Sequence, residues 1–413
     1  MAETKLFEVA LGIEAPWFVR DVAFDAKART LTISVDFKPG TRFGVPGVPG
    51  EHPVCDTTVK RYRHLNFFQH ECVLEVRVPR VKFPDGNVRQ VEPPWAGKLA
   101  GFTLLFEALI LTFCREMPFR AVARLTGVSL YRVMNPCERY VDLAVAQQDL
   151  SEVRELAIDE TSRARGHDYV TIAADASRRA VIAETSERDA KAIDRLAQEI
   201  PAHGGDPGAV TQVLIDLSPA FIKGVARQFP DAQVTFDKFH VIAHASHALD
   251  LMRRAEQKTA PALKGLRWTL LKDSRRLNAV ARDDLDALMA DVTTKRTARA
   301  WVYREQLREI LNRKQVNGVR LMLKPWCTNV SRSKVEPMKA VARLVRSHLD
   351  GICAWAQTRA TNGFLEALNG LFQAAKRKAR GYGRFATIRT VIFLIAGRLD
   401  FSQINPHMTG QPT

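Results

Sequence analysis

The chain has 413 residues, of which 46% are hydrophobic, and its 61 Lys and Arg outnumber its 45 Asp and Glu, giving a net charge of +16. This composition predicts about three globular units with a polyanionic partner, whether ribosomal, membrane-surface or nucleic acid. The chain contains no apolar run of about 18 residues, no signal-peptide pattern and no C-x-x-C pairing of its six cysteines, which excludes a membrane span and a disulfide framework and makes zinc unlikely. We expect a cytoplasmic protein.

Residues 1–98 are predicted to form a small β-rich module. Apolar and polar residues alternate through the second half of 17–37, the period of a half-buried strand, so this segment reads as a hairpin. Residues 39–53 are rich in Gly and Pro and read as a loop, and the alternation returns over 75–81.

Residues 99–150 change to a helical period and carry a helix-turn-helix pattern over 119–133. Gly127 is expected in the turn and Ser129 as the N-cap of a second helix, which Pro136 would kink or shorten. A recognition helix in a DNA major groove and an ordinary helical hairpin both fit this pattern. The predicted DNA-contacting residues are Ser129, Tyr131 and Arg132.

Residues 151–248 are predicted to be a mixed α/β region. The expected order is three strands, a helix, a strand, a helix, a strand and a helix from about residue 240. The predicted strands and helices are 155–160, 168–174, 179–184, 189–200, 212–215, 219–229 and 233–236. Residues 249–357 show no strand pattern and read as a helical insertion. Residues 358–413 are expected to hold a helix around Glu366, a basic cluster and a final apolar helix.

Three carboxylates stand in contexts that suit metal-dependent phosphodiester chemistry. Asp159 and Asp216 each end a short apolar run, and Glu366 lies on a helix. A carboxylate at the tip of a buried strand is costly unless a cation or basic group compensates it. Two such aspartates and a helical glutamate could hold two Mg²⁺ or Mn²⁺ ions, the arrangement that activates water and stabilises a leaving 3′ oxygen. The neighbouring acids are Glu160, Asp168 and Asp175, of which the last two are expected to face solvent.

The helix around Glu366 is predicted to be amphipathic. Its polar face consists of Asn362, Glu366, Asn369, Gln373, Lys376, Arg377 and Arg380, and its apolar face of Phe364, Leu365, Leu368, Leu371 and Phe372. The polar face is either an ordinary solvated face or a phosphate track that leads to a metal ligand. The track would include Lys376, Arg377, Lys378 and Arg380.

Asp237 and His240 directly follow a predicted strand. His240 could orient a phosphate, and Asp237 could either support the metal shell or simply cap the next helix. His244 and His247 continue at helical spacing, but a His-based metal site is disfavoured because no thiolate or clear fourth ligand is nearby.

These residues together resemble bacterial insertion-sequence transposases of the Asp-Asp-Glu class, ISL3 lineage, and the resemblance covers nearly the whole chain. It is carried by segments 156–165 and 214–221, by Asp237 and His240, and above all by Asn-Gly-Phe-Leu-Glu-Ala-Leu-Asn over 362–369 followed by the basic segment 373–382. The last motif is long and specific.

The resemblance implies an α/β fold with an RNase H-like mixed-sheet core, residues 151–248 and 358–413, interrupted by the helical insertion. It also implies that Asp159, Asp216 and Glu366 are catalytic metal ligands, with Asp237, His240, Asn362 and Asn369 in support. The expected partners are double-stranded DNA, both terminal inverted repeats and target, and a second copy of the chain.

The chain departs from the lineage near its N-terminus. Members usually carry a zinc ribbon with two Cys pairs before the helix-turn-helix, and segments 63–65 and 77–81 resemble the frame of that region. The Cys pairs are missing, so the module is expected to be metal-free or degenerate.

Two other functions remain open from the sequence. A catalytically silent DNA-binding or regulatory relative would explain the basic charge and the altered N-terminus. A structure-selective two-metal nuclease would use the same acids without strand transfer.

Overall fold

The structure, a computed structural model, describes residues 2–99, 101–164, 168–187, 189–358 and 363–408. The chain forms two compact units, one of residues 1–147 with 374–413 and the other of residues 148–373. None of the described helices combines the length and the apolar composition needed to cross a lipid bilayer.

The first unit opens with a helix and a six-stranded sheet. Its elements are α1 (Ala2–Leu11), β1 (Trp17–Asp25), β2 (Thr30–Phe37), β3 (Arg42–Val45), β4 (Val48–Phe67), β5 (His70–Lys82) and β6 (Val88–Gln90). The strand order is β1-β2-β5-β4-β3, and β6 pairs with β5. The β1–β2 pair is antiparallel, which confirms the predicted hairpin, whereas β2 and β5 run parallel.

The loop predicted over residues 39–53 is wrong, because this segment forms β3 and the start of β4. Val45 pairs with Val48, leaving Pro46 and Gly47 as a two-residue turn. Gly47 has a φ of +81°, the conformation that a turn of the Pro-Gly type requires. Proline and glycine therefore mark the turn itself and do not keep its flanks out of a sheet.

Three helices follow in the first unit: α2 (Leu104–Glu116), α3 (Phe119–Thr126) and α4 (Leu130–Ala146). Gly127 is left-handed at φ +70°, and the Ser129 hydroxyl accepts a hydrogen bond from the Arg132 amide at 3.4 Å. The predicted helix-turn-helix is thus confirmed. Pro136 does not shorten α4, which continues to Ala146. The proline ring is buried, and Cys137 and Tyr140 continue the buried face beyond it.

A buried carboxylate holds this helical part together. Glu107 on α2 accepts hydrogen bonds from the Lys98 amide at 2.9 Å, the Leu99 amide at 3.1 Å and the Tyr140 hydroxyl at 2.7 Å. Asn405 in turn donates to the Tyr140 oxygen at 3.0 Å. Burial raises the pKa of Glu107 above its usual range, although these hydrogen bonds oppose the shift.

Replacing Glu107 with Ala is expected to destabilise the first unit by about 3 kcal/mol, because it leaves the buried Tyr140 hydroxyl and two half-buried amides without their acceptor. Urea unfolding followed by circular dichroism measures this change. Glu116→Ala on the same helix is the matched control, since Glu116 is exposed, and it should change the free energy of unfolding by no more than about 0.5 kcal/mol. Equal effects of the two substitutions would contradict the structural role of Glu107.

The second unit is built on a five-stranded mixed sheet. Its strands and flanking helices are β7 (Glu155–Ala164), β8 (Asp168–Asp175), β9 (Ala180–Thr185), α5 (Asp189–Ala202), β10 (Gln212–Ile215), α6 (Pro219–Gln228), β11 (Gln233–Phe236) and α7 (Lys238–Glu256). The sheet order is β11-β10-β7-β8-β9. Strands β7, β8 and β9 pair antiparallel, and β10 is parallel to both β7 and β11. The predicted order of strands and helices is confirmed.

Alternation along β7 decides which side chains reach the core. Leu156 and Ile158 belong to the same buried apolar cluster as Ile193 of α5 and Val225 of α6. Successive side chains of a strand point to opposite faces, so Asp159 lies on the face away from that cluster.

Helices alone make up the described part of residues 257–358. They are α8 (Arg267–Leu271), α9 (Ala279–Ala290), α10 (Lys295–Leu311), α11 (Val316–Ser331), α12 (Glu336–Ser347) and α13 (Leu349–Thr358), with short 3₁₀ turns before α8, between α8 and α9 and between α9 and α10. This confirms the predicted all-helical character of the segment. The chain closes with α14 (Gly363–Ala379) and α15 (Phe385–Ala396).

Two predicted exposures are wrong, those of Asp175 and Leu371, and Asp168 is only partly exposed. Asp175 is buried, where it accepts hydrogen bonds from the Ser177 and Arg178 amides and closes the turn after β8. Asp168 is half-buried and pairs with Arg163 at 2.6 Å. Leu371, predicted on the apolar face of α14, is 59% exposed.

Candidate active site

Asp159 is the residue around which the candidate site is built. Its Oδ1 accepts a hydrogen bond from the Glu160 amide at 2.8 Å, and its Oδ2 accepts one from the Asn369 side chain of α14 at 2.9 Å. Both carboxylate oxygens are therefore fixed in direction. Each oxygen keeps a second lone pair with which it could bind a cation.

The sheet register brings Asp216 toward the same edge as Asp159. Leu214 of β10 pairs with Ala157 of β7 in a parallel ladder. This is the last β10–β7 pair, and two residues further along each segment come Asp216 and Asp159, so the parallel direction carries both acids toward the same edge of the sheet. The Asp216 Oδ1 accepts a hydrogen bond from the Ser218 amide at 2.9 Å, which orients it just beyond the end of β10.

Charge interactions link the three predicted acids. The pKa of Asp159 is raised to about 6, first by burial and further by the negative charges of Asp216 and Glu366. The Glu160 amide and the positive charge of His240 act in the opposite direction. Carboxylates that are remote in the chain are thus close enough to repel one another, and a cation would relieve that repulsion.

Two side-chain amides join α14 to β7. Asn369 donates to Asp159, and one helical turn later Gln373 donates to the Thr161 hydroxyl at 3.1 Å and the Ser162 carbonyl at 2.8 Å. Four helical residues rise about 6 Å, close to the length of two strand residues, so the two contacts keep the same register. Glu366, exposed and one turn before Asn369, is thereby held in the neighbourhood of Asp159.

Asp237 and His240 lie at the start of α7. Asp237 is fully buried and its Oδ1 accepts a hydrogen bond from the Phe239 amide at 2.8 Å, so the predicted helix cap is confirmed. His240 is half-buried and interacts with the charge of Asp159. The supporting roles proposed for both residues stay predictions. Asn362 lies outside the described residues.

His244 is a member of this neighbourhood that the sequence interpretation considered only as part of a histidine metal site. Burial lowers its pKa, and so does the charge of His240, while Asp216 acts to raise it. His244, on the same helix as His240, therefore lies near Asp216. Its spacing of four residues from His240 was the available signal, because such residues share a helix face.

The basic residues predicted to contact DNA on α14 occupy its last turn and its end. Arg377, Lys378 and Arg380 are exposed, and Lys376 is half-buried. Burial lowers the pKa of Lys376, and the charge of Arg377 adds to this shift. The helix ends where the Gly381 amide donates to the Lys376 carbonyl at 2.9 Å.

The helix-turn-helix candidates differ in what they contact. Tyr131 is 64% exposed at the start of α4. The Ser129 hydroxyl caps that helix. The Arg132 guanidinium donates to the Gly101 carbonyl at 3.1 Å and lies 4.2 Å from the Phe102 ring centroid. Tyr131 is therefore the most available of the three for a partner, and their contact with DNA stays a prediction.

Asp159, Asp216 and Glu366 offer carboxylate oxygens, the ligands that hard divalent cations such as Mg²⁺ prefer. Within the described ranges, no three His, Cys, Asp or Glu side chains are already arranged closely enough to hold a metal ion. The binding of such an ion by these acids stays a prediction.

Two family models match the chain. One, described as a transposase of the ISL3 type, matches residues 156–392, and the other, described as the helix-turn-helix domain of transposase family ISL3, matches residues 91–141. The chain is 24% identical to the transposase for insertion sequence element IS1001 of Bordetella parapertussis, over 85% of this chain and 88% of that protein. It is also 24% identical to the transposase for insertion sequence element IS1557 of Mycobacterium tuberculosis, over 92% and 93% of the two chains.

Proposed function

The chain belongs to the ISL3 family of transposases, and from that premise we propose that it is the DNA transposase of an insertion sequence. It binds the terminal inverted repeats of its element, cleaves DNA strands there and joins them to target DNA. The hydrogen bond from Asn369 to the Asp159 Oδ2, which brings the helix of Glu366 against the strand of Asp159, is the observation that most supports this proposal.

In this proposal the sheet of the second unit, residues 151–248, and the helix after residue 358 form an RNase H-like catalytic core. Residues 249–357 are an insertion into it. Asp159, Asp216 and Glu366 would hold two Mg²⁺ or Mn²⁺ ions, which supply an activated water and neutralise the leaving oxygen. Asn369 keeps the Asp159 carboxylate oriented, and His240 and Asp237 support the site from α7.

The reaction runs in two displacements at phosphorus. Water attacks a phosphodiester at the element end, and the bond to the 3′ oxygen breaks to leave a 3′ hydroxyl and a 5′ phosphate. That hydroxyl then attacks a phosphodiester of the target, forming a new bond while a target 3′ hydroxyl departs. The protein supplies position and charge stabilisation and forms no covalent bond to DNA.

DNA recognition is assigned to the helix-turn-helix and the basic end of α14. Tyr131 and Arg132, on the helix capped by Ser129, would meet base edges or backbone in the major groove. Lys376, Arg377, Lys378 and Arg380 would neutralise phosphates. Two copies are expected to act together, because two element ends must be joined to one target.

The test uses the full chain with DNA that carries the terminal inverted repeat flanking its own coding sequence. With Mg²⁺ we expect nicks that end in a 3′ hydroxyl and strand-transfer products when target DNA is added. Scrambled ends are the matched control. Cleavage of both DNAs alike without transfer products would indicate a nuclease, and binding without any cleavage would indicate a regulatory protein; either result overturns the proposal.

A further inference from the structure

The helical segment of the second unit presents one prominent exposed tryptophan. Trp268 on α8 is 70% exposed, whereas Leu263, Leu270 and Leu277 on either side of it are buried. The leucines of this segment thus pack into the core, whereas the Trp268 side chain does not. A single exposed aromatic ring is common on protein surfaces, so what Trp268 could bind depends on the residues around it.

A buried arginine fixes the helix that carries Trp268. Arg304 of α10 donates to the carbonyls of Leu270, Leu271 and Lys272 at 3.3, 2.5 and 3.4 Å, and to the Ser246 hydroxyl of α7 at 2.9 Å. These carbonyls end α8, so Arg304 serves as its C-terminal cap. The position of Trp268 is therefore set by packing on α7 and α10.

One face of the Trp268 ring is covered by its neighbour. The Arg267 guanidinium lies 5.0 Å from the ring centroid, a cation–π contact. Arg267 is itself oriented by Asp250 of α7, at 3.7 Å. Since Trp268 remains largely exposed, its second face and its edge are open to a planar partner.

The sequence on either side of Trp268 is rich in Lys and Arg. Residues 251–276 contain eight Lys and Arg but only two acids, Glu256 and Asp273. Glu256 is occupied by the amides of Arg296 and Thr297, and Asp273 pairs with Arg308 at 3.2 Å. We use the name basic rim for four exposed cations among the eight: Lys264, Lys272, Arg275 and Arg276.

We infer that Trp268 and the basic rim bind unpaired nucleotides of the DNA substrate, with a base stacked on the open face of Trp268 and phosphates on the rim. An aromatic platform within a cationic surface is how proteins hold single strands. Paired bases within a duplex have no free face to offer. The inference rests on the proposed function for its substrate, DNA.

The helix that orients Arg267 also carries His240 of the candidate site. Asp250, which orients Arg267, is ten residues from His240 on α7, about 15 Å along a helix. An unpaired segment held at Trp268 would therefore adjoin the strand that is cut, and we expect DNA that is open near the element end to be the preferred substrate.

The experiment measures binding of a fluorescent 20-nucleotide oligo-dT strand and of a blunt duplex to the full chain in EDTA. Trp268→Ala is expected to weaken single-strand binding about ten-fold and to leave duplex binding unchanged, because stacking contributes about 1–3 kcal/mol per base. Trp268→Phe should retain most of the affinity. Leu321→Ala is the matched control, since Leu321 is 71% exposed in the same helical region.

A second measurement addresses the rim. Lys272→Ala with Arg275→Ala should reduce the slope of log affinity against log salt by about 0.7 for each phosphate that the rim no longer neutralises. Unchanged single-strand affinity in Trp268→Ala would overturn the inference, as would equal losses of affinity for strand and duplex. Tighter binding to phosphatidylserine vesicles than to oligo-dT, abolished in Trp268→Ala, would assign the surface to a membrane instead.

These outcomes separate the inference from the proposed function. Asp216→Asn is expected to bind oligo-dT like the parent chain, so its catalytic defect has no bearing on Trp268. Conversely, a chain that cleaves and joins element ends while Trp268→Ala binds single strands normally would retain the proposed function and lose this inference alone.

Discussion

Replacing Asp216 with Asn is expected to lower the rate of Mg²⁺-dependent strand cleavage by about three orders of magnitude or more. The substitution removes one of the carboxylates that would hold the cations, and with it charge stabilisation worth several kcal/mol in the transition state. The Asn oxygen can still accept the Ser218 amide hydrogen that the Asp216 Oδ1 accepts in the parent chain. Folding and binding of element-end DNA should therefore persist, and single-turnover cleavage of labelled end DNA measures the effect.

Asp231→Asn provides the matched control, because Asp231 is an exposed aspartate of the same unit, between α6 and β11. It should cleave at the parent rate. A parent-like rate in Asp216→Asn would remove Asp216 from the site. Loss of cleavage together with loss of stability or of end binding would show that the residue acts through the fold and not through the chemistry.

The catalytic sheet was predictable because its signals are local. Val213 and Ile215 are buried in the apolar core and Asp216 follows them directly, so a short apolar run ending in an acid identifies both the strand and its tip. Parallel pairing then carries Asp216 toward the same edge of the sheet as Asp159. The N-terminal strands were mistaken for a loop because Gly and Pro occur in these strands as well as in the turn, although β3 and β4 are held by pairing with each other.

Side-chain contacts between distant elements were not predictable in the same way. The sequence identifies Asp175 as a turn residue, and turn residues are usually exposed. In the structure its carboxylate is buried, where it accepts a hydrogen bond from the Ser177 amide. The contact of Asn369 with Asp159 depends on how α14 packs against β7. Helical periodicity placed Asn369 and Gln373 on one face, but it did not say which strand that face would meet.

Replacing Asn369 with Leu is expected to lower cleavage activity about 100-fold at low Mn²⁺ and less at saturating Mn²⁺. The side chain loses the amide that donates to the Asp159 Oδ2 at 2.9 Å. Partners that orient a metal ligand typically contribute 10- to 100-fold in metal affinity or activity. The carboxylate keeps its bond from the Glu160 amide but loses the one that fixes Oδ2, so more of the effect should appear in the Mn²⁺ concentration needed for half-maximal rate than in the maximal rate.

Gln373→Leu is the matched control, because it removes the other amide between α14 and β7, which contacts Thr161 and Ser162 and does not touch Asp159. If the two amides only hold the helix in place, both variants should lose similar stability and similar activity, with the same Mn²⁺ midpoint. If Asn369 positions the Asp159 carboxylate, only Asn369→Leu should shift the midpoint while both lose about 1 kcal/mol of stability.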